Sequence, residues 1–395
     1  TSSQGFHADG TLLVDTGVPG TWPAIGDFDQ NRVPEIVPVY YPTHAVSFWH
    51  YDKTQPNKFA WVRQGVDING TLTQHCPVGS SGYTHGGGPP TVADFNGDGV
   101  PDVALAGGIG YVVLDGAEIV NAQASNAATI LWTASTTDCS SAATGSSVFD
   151  FDGDGKAEVV YSDENHLRIY EGPTGNILFS TCNTTGTLEE FPVIADVDND
   201  GHADIVVVSN SYANGNPEYQ CNDGTNNSQA GVRIFGDTAG SWVRTRRVWN
   251  EHAYHITNVN EDGTIPTSEL ANWTQPGLDN FRQNKQPGSE FAAPDAVVTL
   301  HPQCTSPYTL VATVTNIGEA ALPAGIPVGF YEGTAPSGTL LGKASTTQTL
   351  YAAQSENVVL TLTTPPPGVE DGTQPIYAVV DDTTTPHPGW HECRV

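Results

Sequence analysis

Residues 150–160 read DFDGDGKAEVV. Asp150, Asp152, Asp154 and Glu158 fall at positions 1, 3, 5 and 9 of this stretch, Gly155 at 6 and Lys156 at 7. Alternate carboxylates in a tight loop converge on one point. A glycine at position 6 permits the sharp turn, and the carbonyl of position 7 adds an oxygen. Hard oxygen ligands on a flexible loop are what Ca2+ requires. A helical calcium loop would place its closing Glu at position 12. Here the chain runs into EVVYSD, a β-branched run that predicts a strand. The expected site therefore belongs to a β protein.

The frame recurs three times. DFDQNRVPEIVPVY starts at Asp27, DFNGDGVPDVALAG at Asp94 and DVDNDGHADIVVVS at Asp196. The candidate ligands are Asp27, Asp29, Asn31 and Glu35; Asp94, Asn96, Asp98, the carbonyl of Val100 and Asp102; Asp150, Asp152, Asp154, the carbonyl of Lys156 and Glu158; and Asp196, Asp198, Asp200, the carbonyl of His202 and Asp204. Pro23, Pro90 and Pro192 stand four residues before three of the frames. A second strand-like run follows each one: AVSFWHYD, YVVLDG, LRIYEG and VRIFGD. The frames start 67, 56 and 46 residues apart. A supersecondary unit repeating at this period, rich in Gly and Pro turns and poor in helical periodicity, predicts the blades of a β-propeller.

These residues resemble the FG-GAP/VCBS repeats of integrin-α-like propellers over about residues 1–285. The resemblance implies calcium at the blade hairpins, bracing each hairpin rather than performing chemistry. The first loop departs from the pattern, with Arg32 where the others carry Gly99, Gly155 and Gly201.

The chain has 395 residues, 44 acidic and 14 basic, for a formal charge of −30. Such a charge repels nucleic acid and anionic membranes. No apolar run of about 20 residues is present to span a bilayer. With 38% hydrophobic residues and clear strand patterning, the composition fits turn-rich β structure rather than disorder. Met is absent even at position 1, which fits a processed product, and further blades could precede Thr1. Six cysteines, none in CxxC spacing, point to disulfides and an oxidising, extracellular or cell-surface location. Fifteen pairings exist. The expected ones are Cys304–Cys393 within the last domain, Cys182–Cys221 within one blade, and Cys76–Cys139. Glycosylation sequons stand at Asn69, Asn183, Asn226 and Asn272.

Residues 241–285 close the first domain with an aromatic, His-containing segment, WVRTRRVWNEHAYH. His252 and His255 with Glu251 could bind a metal, or they could pack a joint between domains. Within the segment, Asn258, Asn260, Asp262, the carbonyl of Thr264 and Glu269 take EF-hand positions 1, 3, 5, 7 and 12. An Asx-rich turn is the competing reading. The count of calcium sites is thus three to five.

Residues 286–395 begin with a linker and continue as six or seven short alternating strands, DAVVTLHP to IYAVVDD, predicting an immunoglobulin-like sandwich. The run from VTNIGEAALPAG to HECR resembles a CARDB domain, which implies a spacer or adhesion module of an extracellular bacterial protein. CARDB domains commonly run on into an Asn-rich tail after the Glu-Cys, whereas this chain stops at Val395, which fits a trimmed C-terminus or one link in a longer array.

No nucleophile elbow, Walker loop or dinucleotide fingerprint occurs. GGGPP at 86–90 leads into a strand rather than a helix and has no helix dipole for phosphate. The expected function is non-enzymatic: an extracellular calcium-binding adhesion or recognition protein whose partner is a glycan or an extracellular protein. Trp22, Trp49, Trp61 and Trp132 are candidates for stacking on sugar. A structural subunit of a surface filament, with copies of itself as partner, is the alternative. A polysaccharide-degrading enzyme stands behind both, since the few basic residues would hold acidic polysaccharide poorly.

Overall fold

The structure, a computed structural model, describes residues 2–6, 11–55, 58–187, 190–213, 219–221, 229–238, 241–260, 262–284, 294–303, 307–317, 322–350, 354–370 and 373–382. It is all-β. Residues 1–195 with 203–285 form one compact unit, and residues 286–395 with 196–202 form the other.

The first unit opens with a hairpin of β1 (Ser2–Phe6) and β2 (Leu12–Pro19). Three four-stranded antiparallel meanders follow. They comprise β3 (Thr21–Gly26), β4 (Glu35–Tyr40), β5 (Ala45–Tyr51) and β6 (Phe59–Asp67); β7 (Thr91–Ala93), β8 (Asp102–Ala106), β9 (Gly110–Leu114) and β10 (Ile130–Ser135); and β11 (Ser146–Phe149), β12 (Glu158–Ser162), β13 (His166–Tyr170) and β14 (Ile177–Cys182). A fourth sheet has β15 (Val193–Ala195), β16 (Asp204–Ser209) and β17 (Gly231–Phe235). Among the described residues it has three strands.

In β8 and β12, the second strands of two of these sheets, every residue is buried, as expected for a strand covered on both faces. Val103 and Leu105 of β8 pack into one core with Val37, Phe48 and Val66 of the preceding sheet. The alternate residues Ala104 and Ala106 join Val148, Val159 and Tyr161 of the following one. The next sheet repeats the division: Val160 and Ile169 face Ile194, Ile205 and Val207. Period-two alternation on a buried strand thus stacks the sheets in chain order.

Residues 281–284 lie along the first strands of three sheets. Phe281 and Val92 exchange backbone hydrogen bonds at 2.9 and 3.0 Å. Arg282, buried, donates to Pro90 O at 2.5 Å, and Asn284 Nδ2 donates to Ile194 O at 2.9 Å. Tyr254 donates its hydroxyl to Asn284 Oδ1 at 2.9 Å. The segment therefore ties its carbonyl partners across sheets far apart in sequence.

The second unit has two three-stranded antiparallel sheets, β18 (Ala296–Gln303), β19 (Tyr308–Asn316) and β22 (Ser355–Leu362), and β20 (Pro327–Glu332), β21 (Thr339–Ser345) and β23 (Ile376–Val380). YTLVATVTN in β19 alternates inward Tyr308, Leu310, Ala312 and Val314 with half-exposed residues. These meet Val328 and Phe330 of the other sheet in one core, which makes a sandwich.

Cys76 bonds Cys139 and Cys182 bonds Cys221. Cys304 and Cys393 lie outside the described residues, as do Asn226 and the HECR tail.

Candidate functional site: repeated acidic hairpin loops

All four acidic frames form the loop between the first and second strands of a sheet. The register is the same in each. The position-9 acid opens the second strand and pairs with the residue just before the first Asp: Glu35 with Gly26, Asp102 with Ala93, Glu158 with Phe149, and Asp204 with Ala195. In three loops a Phe follows the first Asp and is buried in the core: Phe28, Phe95 and Phe151. Its backbone N–H donates to the position-9 acid at 3.0, 3.0 and 2.9 Å. The alternation of Asp and Phe therefore turns one side chain into the loop and roots the next beneath it. Val197 takes the Phe position in the fourth loop and is exposed.

Side-chain oxygens organise the loop interior. The position-1 Asp accepts the N–H of position 6: Asp27 from Arg32 at 2.7 Å, Asp94 from Gly99 at 2.9 Å, Asp150 from Gly155 at 2.9 Å and Asp196 from Gly201 at 3.2 Å. Position 3 accepts from position 5 in all four, at 2.8–3.1 Å. Position 5 accepts from position 7: Asn31 from Val33, Asp98 from Val100, Asp154 from Lys156 and Asp200 from His202. Positive φ at position 6 is common to all, 82° at Gly99, 90° at Gly155 and 88° at Gly201. Arg32 adopts it too, at 71°, so the first loop keeps the shape without the glycine.

These turns gather carboxylates. Oxygens of Asp27, Asp29 and Glu35 lie within 4.8 Å of one another, as do those of Asp150, Asp152 and Glu158, and of Asp196, Asp198 and Asp204. Asp154 and Asp200 stand outside these groups, and Asp154 instead pairs with Lys156 at 2.8 Å. In the second loop Asn96 replaces one carboxylate, and Asp102 is occupied by the N–H groups of Phe95 and Gly116. Burial pushes Glu35 and Glu158 up to about 8 and Asp102 up to about 7, with neighbouring carboxylates adding to the shift. Asp27, Asp150 and Asp196 are raised for the same first reason. Among the described residues no donor reaches the buried Glu35 Oε1. Clustered, buried, under-donated carboxylate oxygens fit a hard divalent cation.

The segment 258–269 is built differently. Asn258 Oδ1 accepts from His255 N at 3.1 Å and its amide donates to Ala253 O at 3.0 Å. Asn260 Nδ2 donates to the Thr264 hydroxyl at 2.9 Å, and Asp262 accepts from Thr264 N at 3.0 Å. Glu269 pairs with the His255 ring. The side chains at the first and last EF-hand positions are thus hydrogen-bonded to His255 and Ala253. His252 packs edge-on against Phe191 with centroids 5.1 Å apart, while the His255 ring pairs with Glu269.

Trp49 and Trp132 are buried, and Trp132 Nε1 donates to Gly172 O at 2.6 Å. Neither is placed to meet a ligand. Trp61 is exposed on the edge strand β6, and Trp22 packs edge-on against Tyr41. Asn183 and Asn272 are buried and hydrogen-bonded, which removes both as glycosylation sites in the folded chain.

Residues 150–207 match the FG-GAP-like repeat family. No curated protein matches the chain. Among solved structures it is similar to the biofilm matrix protein Bap1 of V. cholerae, at 21% identity and a TM-score of 0.38, over 65% of this chain and 36% of Bap1. The chain thus spans about a third of Bap1. It is similar to a family 43 arabinoxylan arabinofuranohydrolase of Bacillus subtilis at 10% identity and a TM-score of 0.26, over 96% of this chain and 91% of the other. A lectin of Agrocybe aegerita, described as recognising non-reducing terminal N-acetylglucosamine, aligns at 15% identity and a TM-score of 0.27, over 90% and 87%. At these scores none of the three carries an argument about function. No helix among the described residues is long and apolar enough to cross a membrane.

Proposed function

We propose that the first unit is a calcium-braced propeller of FG-GAP/VCBS-type blades, and that the chain acts outside the cell as a non-enzymatic adhesion or recognition module. The observation that carries this reading is the repetition of one loop geometry in four successive sheets, three of which gather carboxylate oxygens within 4.8 Å. A catalytic centre is seldom built four times in one chain. Four copies at equivalent hairpins suit a structural ion. Face-to-face stacking of meanders in chain order supports blades, and the two disulfides support an oxidising compartment. The second unit, CARDB-like in sequence, serves as a spacer. The partner is a glycan or an extracellular protein.

Asp27, Asp29 and Glu35, Asp150, Asp152 and Glu158, and Asp196, Asp198 and Asp204 would hold the ions, with Asp94, Asn96 and Asp98 forming a weaker fourth site. Bound Ca2+ would neutralise carboxylates that are otherwise buried against one another. At a concentration 100-fold above the dissociation constant, each site adds about 2.7 kcal/mol. Calorimetric titration of the EDTA-treated chain tests this, with an expected uptake of about three or four ions. Glycan and protein arrays probed in calcium and in EGTA then test recognition. No calcium uptake by a folded chain would sink the reading.

A further inference from the structure

Described residues of three connections (136–145, 183–187 with 190–192, and 210–213) meet at the end of the third and fourth sheets opposite to the acidic hairpins. The connections join β10 to β11, β14 to β15, and β16 to β17. Between them lies an open cavity of about 610 Å³, lined by Ser140, Gly186, Thr187, Glu190, Val208, Asn210 and Tyr212. The volume falls in the range of about 300–1,000 Å³ typical of small-molecule sites. Its chemistry is hydroxyl, amide and carboxylate around one aromatic ring.

The lining is held in place from behind. Thr187 has φ of 32°, a left-handed conformation that a β-branched residue adopts only under constraint. Its hydroxyl donates to the buried Asp138 at 2.7 Å and meets the Ser140 hydroxyl at 2.8 Å. Thr185 donates to Glu190 Oε1 at 2.7 Å and accepts from Asn210 Nδ2 at 3.0 Å. Asn210 Oδ1 accepts the N–H groups of Gly186 and Tyr212. A Cβ at Gly186 would sit 2.9 Å from Tyr212 Cγ, so only glycine lets the ring lie against the backbone there. Tyr219 packs against Tyr212 from another side, with centroids 5.0 Å apart. Even so, 51% of Tyr212 remains exposed. A ring clamped by its neighbours yet half open to solvent offers its surface to a ligand at little entropic cost.

We infer that this cavity binds a neutral pyranose sugar, its apolar C–H surface against Tyr212 and its hydroxyls toward Ser140, Thr187, Glu190 and Asn210. The inference rests on the reading of the chain as a recognition module and gives that module a ligand class and a place. Aromatic burial supplies the contact area, and the surrounding hydroxyl, amide and carboxylate groups supply directional hydrogen bonds. Anionic sugars are disfavoured. Among the described residues no Lys or Arg lines the cavity, while Glu190 lines it and Asp138 lies directly behind it.

The test uses the calcium-loaded full chain with methyl glycosides of glucose, galactose, mannose and N-acetylglucosamine, and glucuronate as the charged control. Saturation-transfer NMR and calorimetry read binding. At least one neutral glycoside is expected to bind and glucuronate not. Tyr212→Ala should weaken binding about tenfold, or ~1.4 kcal/mol, and Tyr212→Phe about twofold or less. Glu190→Gln, which preserves shape, should also weaken it and serves if Tyr212→Ala folds poorly. Binding unchanged in both Tyr212→Ala and Glu190→Gln would overturn the placement. Absence of binding by a wild-type chain that still takes up calcium and melts cooperatively would overturn the sugar site while leaving the recognition reading intact. Binding of glucuronate in preference to the neutral set would overturn the ligand class.

Discussion

Arg32 occupies a left-handed position that its three counterparts give to glycine, and its N–H still reaches Asp27 at 2.7 Å. A non-glycine residue there costs about 1–2 kcal/mol, partly offset by the lower chain entropy it brings to the unfolded state. Arg32→Gly should therefore stabilise the protein by about 0.5–1 kcal/mol, read by urea denaturation. Glu35 and Glu158 make a second prediction. Burial raises both from an ordinary 4.5 to about 8. Between these values the folded state binds more protons than the unfolded one, so stability falls as pH rises through that window. In EGTA the melting temperature should decline from about pH 5 to pH 8. Calcium should flatten the slope, because the ion stabilises the ionised form. A melting temperature that rises across this range in EGTA would contradict the assignment.

Hairpins are the elements that carry the repeated loop. Each acid that opens a second strand is fixed by strand register, since a slip of one residue would turn it to the opposite face. Glu158→Gln keeps the Phe151 contact geometry and removes one charge from the third cluster. Calorimetry of this variant should lose one ion from the wild-type count while the other loops still fill. The disulfides act at the same scale. Cys76–Cys139 encloses all of β7 to β10 within 63 positions, and Cys182–Cys221 encloses β15 and β16 within 39, joining two successive sheets rather than closing one blade. Replacing both cysteines of the second pair by serine should cost about 3–4 kcal/mol by loop-closure entropy, checked by chemical denaturation.

Across the first unit, residues 281–284 bind strands that lie up to 192 positions away in the chain. Asn284 alone joins Ile194 O, Arg246 O and the Tyr254 hydroxyl. At about 1 kcal/mol for each buried hydrogen bond, Asn284→Ala should destabilise the unit by about 2–3 kcal/mol. Limited proteolysis should then cut the unit faster. The sheets they link stack through alternate faces of the same strands, so the loss should be felt cooperatively in one melting transition rather than locally.

The acidic loops and strands were legible because their signals are local. DFDGDG sets side chains and turn within nine residues, the β-branched run after it declares a strand, and four copies in register exclude accident. YTLVATVTN likewise announces its inward face by simple alternation. The cavity beside Tyr212 had no such signal. SNSYANG reads as an ordinary polar turn, and Ser140 meets Thr187 across 47 residues. Trp49 and Trp132 carried the stronger aromatic signal and proved to be core, because burial depends on which sheet covers a strand. Asn258 and Glu269 match a ligand spacing, and their bonds to His255 and Ala253 are contacts that the spacing does not announce. Spacing states which groups are near along the chain, while packing decides where they point. Local turn chemistry was enough for the first, and the second required long-range contacts between sheets.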